Sequence, residues 1–320
     1  MFNFNKKTLS IQEVWYLFSI PVHCVFRGYA QILLQEKILT GMLFCLAICV
    51  TAYELQRPEI FYYSICGATL SPILAWILGY SREEITRGIW GYNAILYSIA
   101  VSIFIPLSAQ SHFFLIIGNI GIVLFTPLLS SVLGKLPVLT MPFIIATWGL
   151  CLVKGTHSGF SMVENSMFTL TPVDYAQSVI NNYLEIFLLA GIKGGFLIMV
   201  GLFFSDKKIF IWSIIASCIS TLVSCFDSRA TLEQVVGGMY GYNVILTTVA
   251  IYTFAGLNKR INTFFLGAIV VTFLLDKILS LLLSHISLPL LTFPFVLSSW
   301  LFILAQKFHQ NNGKMFIKSK

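Results

Sequence analysis

The chain has 320 residues, of which 57% are hydrophobic and only 10% charged, and its mean hydropathy is +0.85. Soluble globular chains carry roughly a quarter charged residues, so a soluble domain is excluded. The apolar runs are long enough to span a bilayer as helices rather than as alternating barrel strands. The net charge of +7 invites a nucleic-acid reading, but its placement argues against one: Lys6 and Lys7 precede the first apolar run, and Lys307, Lys314, Lys318 and Lys320 follow the last.

By the positive-inside rule both ends are expected on the cytoplasmic face of a plasma (inner) membrane, which requires an even number of spans. In chain order, Trp15, Tyr16, Leu17, Phe18 and Ile20 suggest an interfacial helix leading into the first span. No cleavable signal is expected, because no small-residue cleavage site follows an apolar core of suitable length. Apolar runs then fall roughly at 38–53, 60–80, 88–107, 113–133 and 137–153, and again at 183–204, 209–225, 237–257, 261–283 and 288–306. Polar punctuation such as Ser81-Arg-Glu-Glu84 and Asp206-Lys-Lys208 separates them. The expected organisation is a first repeat over 1–153, a polar linker with a short surface helix over 154–182, a second repeat over 183–306, and a basic tail over 307–320 lying near anionic lipid.

The repeats can be read residue by residue. Leu136-Pro-Val-Leu-Thr-Met-Pro-Phe-Ile-Ile-Ala-Thr-Trp148 returns as Leu288-Pro-Leu-Leu-Thr-Phe-Pro-Phe-Val-Leu-Ser-Ser-Trp300, with seven identities in thirteen. Ile85-Thr-Arg-Gly-Ile-Trp-Gly-Tyr-Asn-Ala-Ile-Leu96 returns as Val235-Val-Gly-Gly-Met-Tyr-Gly-Tyr-Asn-Val-Ile-Leu246, with six in twelve. A weaker match sets Gln31-Ile-Leu-Leu against Glu185-Ile-Phe-Leu and Gly41 against Gly195. Apolar filler exchanges freely, so two copies that keep proline, threonine and tryptophan in register point to residues with specific work. Five runs per half is an odd number, so the second half enters the membrane inverted relative to the first. The expected fold is an all-α membrane protein of ten transmembrane helices in two inverted five-helix repeats, with re-entrant or broken half-helices around a central pore.

Prolines 137, 142, 289 and 294 flank Thr140 and Thr292. Inside a helix they would free backbone carbonyls, which in a cavity become acceptors for a polar solute. Gln31 and Glu185 occupy matching positions and offer carbonyl-type oxygens, as suits a ligand rich in N–H donors. Tyr92 with Leu96, and Tyr242 with Leu246, stand at i, i+4 spacing on one helix face. Facing walls of this kind leave a flat slot that admits planar molecules, and core packing is the rival account. The seven cysteines and five histidines show no ligand spacing, and no nucleophile–base pair is evident. No metal, cofactor, disulfide framework or enzymatic activity is expected.

The doubled Leu-Pro-x-x-Thr-x-Pro-Phe and doubled Gly-Tyr-Asn, with Arg27-Gly-Tyr-Ala-Gln31, resemble the urea transporter family over essentially the whole chain. The resemblance implies ten spans in two inverted halves, a homotrimer with a pore in each protomer, and passive movement of urea without a coupled ion. It implies that Gln31 and Glu185 serve two end sites and that Thr140 and Thr292 face the narrow middle. Tyr92, Leu96, Tyr242 and Leu246 would wall the slots, with Ile32, Leu34, Ile186 and Phe187 or Leu188 completing them. The second-half end site departs from the pattern, since Tyr183-Leu184 precedes Glu185. Competing readings are an ion-coupled secondary transporter, for which Glu185 and Asp276 are the only mid-span candidates, and a channel for another small amide or for ammonia. No histidine pair occupies matching positions to favour the last.

Overall fold

The structure, a computed structural model, describes residues 11–155, 168–255 and 261–318. Lys6 and Lys7 and most of the segment 154–170 lie outside them. The described residues are helical, without strand. The first half comprises α1 (Ile11–Gln31), α2 (Ile38–Glu54), α3 (Pro58–Ile77), α4 (Arg82–Thr86), α5 (Tyr92–Phe104), α6 (Ala109–Leu133) and α7 (Met141–Lys154). The second comprises α8 (Pro172–Leu184) with a 3-10 turn (Glu185–Phe187), α9 (Ile192–Ser205), α10 (Lys207–Ser224), α11 (Leu232–Gly237), α12 (Tyr242–Ala255), α13 (Ile261–Ser284) and α14 (Phe293–Lys318).

Packing repeats half for half. α1 lies on α2 as α8 lies on α9, α3 on α5 as α10 on α12, and α5 on α7 as α12 on α14. The halves meet where equivalent helices touch each other, α2 against α9 and α7 against α14. Contacts between equivalents, made reciprocally, are the pattern a two-fold axis produces. One apolar core runs through both halves, from Phe44 and Leu96 to Phe187 and Leu246.

The Gly41–Gly195 match has a steric cause. A Cβ on Gly41 would overlap the carbonyl oxygen of Phe26 on α1, and one on Gly195 would overlap that of Ile180 on α8. Small residues let helix backbones approach closely where no lipid or side chain intervenes. Gly88 (φ 80°) and Gly238 (φ 95°) form a second matched pair, left-handed and pressed against the backbone at Arg27 and Asn181. No residue with a Cβ fits there.

Among the described residues, five helices or near-continuous helix pairs are long and apolar enough to cross a bilayer, at Pro58–Ile77, Ala109–Leu133, Lys207–Ser224, Leu232–Phe254 and Phe265–Ser284. Pro172–Phe187 and Ile192–Ser205, bent by 79°, make a sixth if taken as one broken span. Tyr92–Phe104 and Met141–Lys154 are shorter. At 1.5 Å per residue they cover about 20 Å, less than a hydrocarbon core of about 30 Å.

Two sequence expectations need correction. The run 183–204 is not one helix, because Leu188 turns left-handed (φ 60°) and ends the first segment before Gly191 opens the next. The segment 154–182 is not wholly a polar linker with a surface helix. Its last eleven residues belong to α8, whose Ser178, Asn181 and Asn182 are buried. Those polar groups face inward because they bond inward: Ser178 to the Val235 carbonyl (2.6 Å), Asn181 to the Val236 carbonyl (2.7 Å), and Asn182 to Ser217 (2.9 Å) and Thr221 (3.1 Å).

Candidate functional site

The centre of the molecule is built twice by the same rules. α7 and α14 begin at Met141 and Phe293, each with proline as its second residue. In the first turn the missing N–H costs nothing, because that donor has no intrahelical partner anyway. The prolines therefore start helices rather than break them. The carbonyls of the two outer prolines are engaged across the halves. Pro289 O accepts from the indole N–H of Trp148 and Pro137 O from that of Trp300, each at 2.8 Å. The doubled Pro and Trp are thus two ends of one reciprocal cross-link between the halves.

Leu139 and Leu291 precede the threonines and both adopt φ of 51°. Left-handed backbone at a non-glycine residue costs on the order of 1–3 kcal/mol and persists only when its surroundings enforce it. Here the enforcing groups are doubled. The Leu139 carbonyl accepts from Tyr92 Oη (2.7 Å) and Asn93 Nδ2 (3.2 Å), and that of Leu291 from Tyr242 Oη (2.7 Å) and Asn243 Nδ2 (3.2 Å). The same asparagines accept from the first turns of the half-helices: Phe143 N–H reaches Asn93 Oδ1, and Phe295 N–H reaches Asn243 Oδ1, both at 3.3 Å. The Gly-Tyr-Asn motif is a clamp on the Leu-Thr turn.

The clamp delivers Thr140 and Thr292 to each other. Their hydroxyls are 2.6 Å apart and buried. Neither hydroxyl bonds back to its own helix, and Thr140 starts α7 without capping it by its side chain. Thr147 and Ser299, seven residues further along, are buried hydroxyls without a hydrogen-bond partner among the described residues.

Tyr92, Leu96, Tyr242 and Leu246 are buried in one core with Ile32 and Ile186, while Leu34 and Leu188 pack against it partly exposed. Gln31 is buried, and its Nε2 donates to the Arg87 carbonyl at 3.1 Å. That carbonyl can only accept, so the Gln31 amide is oriented with Oε1 left over, and this oxygen has no partner among the described residues. Glu185, half-buried in its 3-10 turn, has no hydrogen bond or ion pair from its carboxylate among the described residues. Leu34 (φ 55°) and Leu188 (φ 60°) close matching turns behind them, through Leu34 N–H to the Gln31 carbonyl (2.9 Å) and Leu188 N–H to the Glu185 carbonyl (2.8 Å).

Sequence reasoning missed Asn93 and Asn243 as working parts, and it singled out Trp148 and Trp300 without finding what they hold. The signal was present, since each is identical in both copies, but only the fold reveals what each one holds.

A polytopic helical membrane protein, with two matching halves whose paired short helices meet at a central polar contact, has the architecture of a transport protein. Residues 22–307 match the family described as urea transporter. Among curated relatives, urea transporter 1 of Capra hircus is 25% identical over 92% of this chain and 79% of its own length, and that of Ovis aries gives the same figures. Urea transporter 1 of Mus musculus is 24% identical over 91% and 78%. The chain belongs to the urea transporter family.

Proposed function

We propose that each protomer is a passive pore for urea, with Gln31 and Glu185 at its two ends and the Thr140–Thr292 contact at its middle. The observation that carries this reading is the hydroxyl pair itself: two threonine side chains, buried and 2.6 Å apart, whose hydroxyls bond to each other and to no other group among the described residues. A hydroxyl both donates and accepts, so each can exchange its partner for a urea N–H or carbonyl. A single such bond nets only about 0.5–1.5 kcal/mol, which makes the exchange a low barrier.

Urea is planar and neutral, with four N–H donors around one carbonyl. The oxygen of Gln31 and the carboxylate of Glu185 suit its edges, while Tyr92, Leu96, Tyr242 and Leu246, with Ile32, Leu34, Ile186 and Leu188, suit its faces. An ion would lose its water there and gain little in return. Several weak sites in series permit rapid exit as well as entry.

The finer architecture belongs to the same reading. Ten spans lie in two inverted halves, the second beginning with α8 rather than at residue 183. The reciprocal Trp–Pro bonds and the touching equivalents support a two-fold axis lying in the membrane plane. The termini face the cytoplasm of a plasma (inner) membrane, basic tail near anionic lipid, and the protomers assemble as a homotrimer. Stopped-flow shrinkage of proteoliposomes tests the function. Urea should equilibrate much faster than across protein-free vesicles, and faster than bulkier non-planar solutes such as glycerol. Equal rates for urea with and without protein would refute the proposal.

A further inference from the structure

Asp276 is one of two charged residues in the mainly apolar α13. A carboxylate within a span costs about 2.5–3.5 kcal/mol on insertion scales, so its place there calls for a reason. The adjacent Lys277 is not its partner: its Nζ lies 3.8 Å from Asp227 and 4.9 Å from the centre of the Phe273 ring. Asp276 instead accepts from Asn243 Nδ2 at 2.9 Å. Asn243 is the clamp residue that also donates to the Leu291 carbonyl and accepts from Phe295 N–H.

The first half sets the comparison. Asn93 makes the same two clamp contacts at the same distances, yet α6, the counterpart of α13, contains no Asp, Glu, Lys or Arg. The clamp therefore forms without a carboxylate. An ionisable residue kept inside a span that the fold does not need points to function.

We infer that Asp276 is a positioning residue for the second-half slot, acting through Asn243 on the Leu291–Thr292 turn. By accepting one amide hydrogen it fixes the orientation of Asn243. A hydrogen bond to the amide also polarises it, so that Oδ1 becomes a stronger acceptor for Phe295 N–H. The left-handed turn that presents Thr292 is thereby held more rigidly than its counterpart before Thr140. The two slots then differ in stiffness, and the second sets which solute geometry passes. This rests on Thr292 lining the pore.

The test compares urea flux per assembled protein, by stopped-flow on proteoliposomes of the full chain, for wild type, Asp276→Leu, Asp276→Asn, Asp276→Ser, Asn243→Ala and the double variant Asn243→Ala/Asp276→Leu. Asp276→Leu should slow urea about tenfold, the effect of losing one hydrogen bond. Asp276→Asn keeps an acceptor and should restore flux to within about threefold of wild type. In the Asn243→Ala background Asp276→Leu should cost nothing more. If Asp276→Leu does not assemble, Asp276→Ser supplies the same comparison with a smaller side chain. Wild-type flux in Asp276→Leu or Asp276→Ser, or further slowing on the Asn243→Ala background, overturns the inference while leaving the pore intact. Proton-driven urea accumulation abolished by Asp276→Asn overturns it by making Asp276 a coupling group. A wild type without urea flux overturns the proposed function and this inference together.

Discussion

Thr140 and Thr292, 152 residues apart in the chain, are hydrogen-bonded to each other at 2.6 Å, and each is the other's counterpart in the duplicated sequence. A residue that touches its own equivalent must lie on the axis relating the two copies. Valine keeps the shape of threonine and removes the hydroxyl. Thr140→Val or Thr292→Val should lower urea flux about fivefold, the effect of one net hydrogen bond of about 1 kcal/mol, with assembly intact. Wild-type flux in the double valine variant would remove the pair from the pathway.

Leu96 and Leu246 are fully buried beside the clamp tyrosines. If they wall flat slots, Leu96→Trp or Leu246→Trp fills the slot and should reduce urea flux to the protein-free rate, as read by stopped-flow on protein that still elutes as wild type. Normal conduction by both would place these leucines in ordinary core packing.

Glu185 is matched by Gln31, which cannot titrate. A coupling site would not ordinarily be paired with an inert amide, so its role is assigned to hydrogen-bond acceptance. Glu185→Gln keeps a carbonyl oxygen and should retain most transport, whereas Glu185→Leu removes every acceptor and should lose about fivefold or more. Equal fluxes in the two variants would contradict the assignment.

The Trp148–Pro289 and Trp300–Pro137 bonds predict an effect on stability rather than on selectivity. Trp148→Phe leaves a half-buried carbonyl without its indole donor, at about 1–2 kcal/mol, and Trp300→Phe should do the same. Thermal denaturation in detergent should drop for each by several degrees, with the preference for urea over glycerol unchanged. A shift in that preference would mean that the indoles touch the solute.

Gly41→Ala and Gly195→Ala should prevent assembly, because the added carbon meets a helix carbonyl rather than a movable side chain. Gly121→Ala, with open space at its Cβ, is the control. Size-exclusion profiles of solubilised membranes give the answer.

The sequence carried the duplication, the all-helical membrane character and the residues that meet at the centre, because repeats preserve what both copies need. Its periodicity was less reliable for element boundaries. The run 183–204 reads as one apolar helix, since hydropathy does not register the left-handed turn at Leu188. Helix α8 reads as linker because Ser178, Asn181 and Asn182 look solvent-facing until their partners on α10 and α11 are known. The prolines were visible, but whether a proline opens a helix or interrupts one depends on where the helix starts. Asp276 has no counterpart in the other copy, so duplication could not single it out.

Passive conduction is the claim on which the rest depends, and the direct measurement is urea flux in proteoliposomes under imposed gradients. Urea should run down its own gradient in either direction at equal initial rates, unaffected by a proton or sodium gradient across the vesicle. Accumulation of urea against its gradient when a proton or sodium gradient is applied would contradict the account.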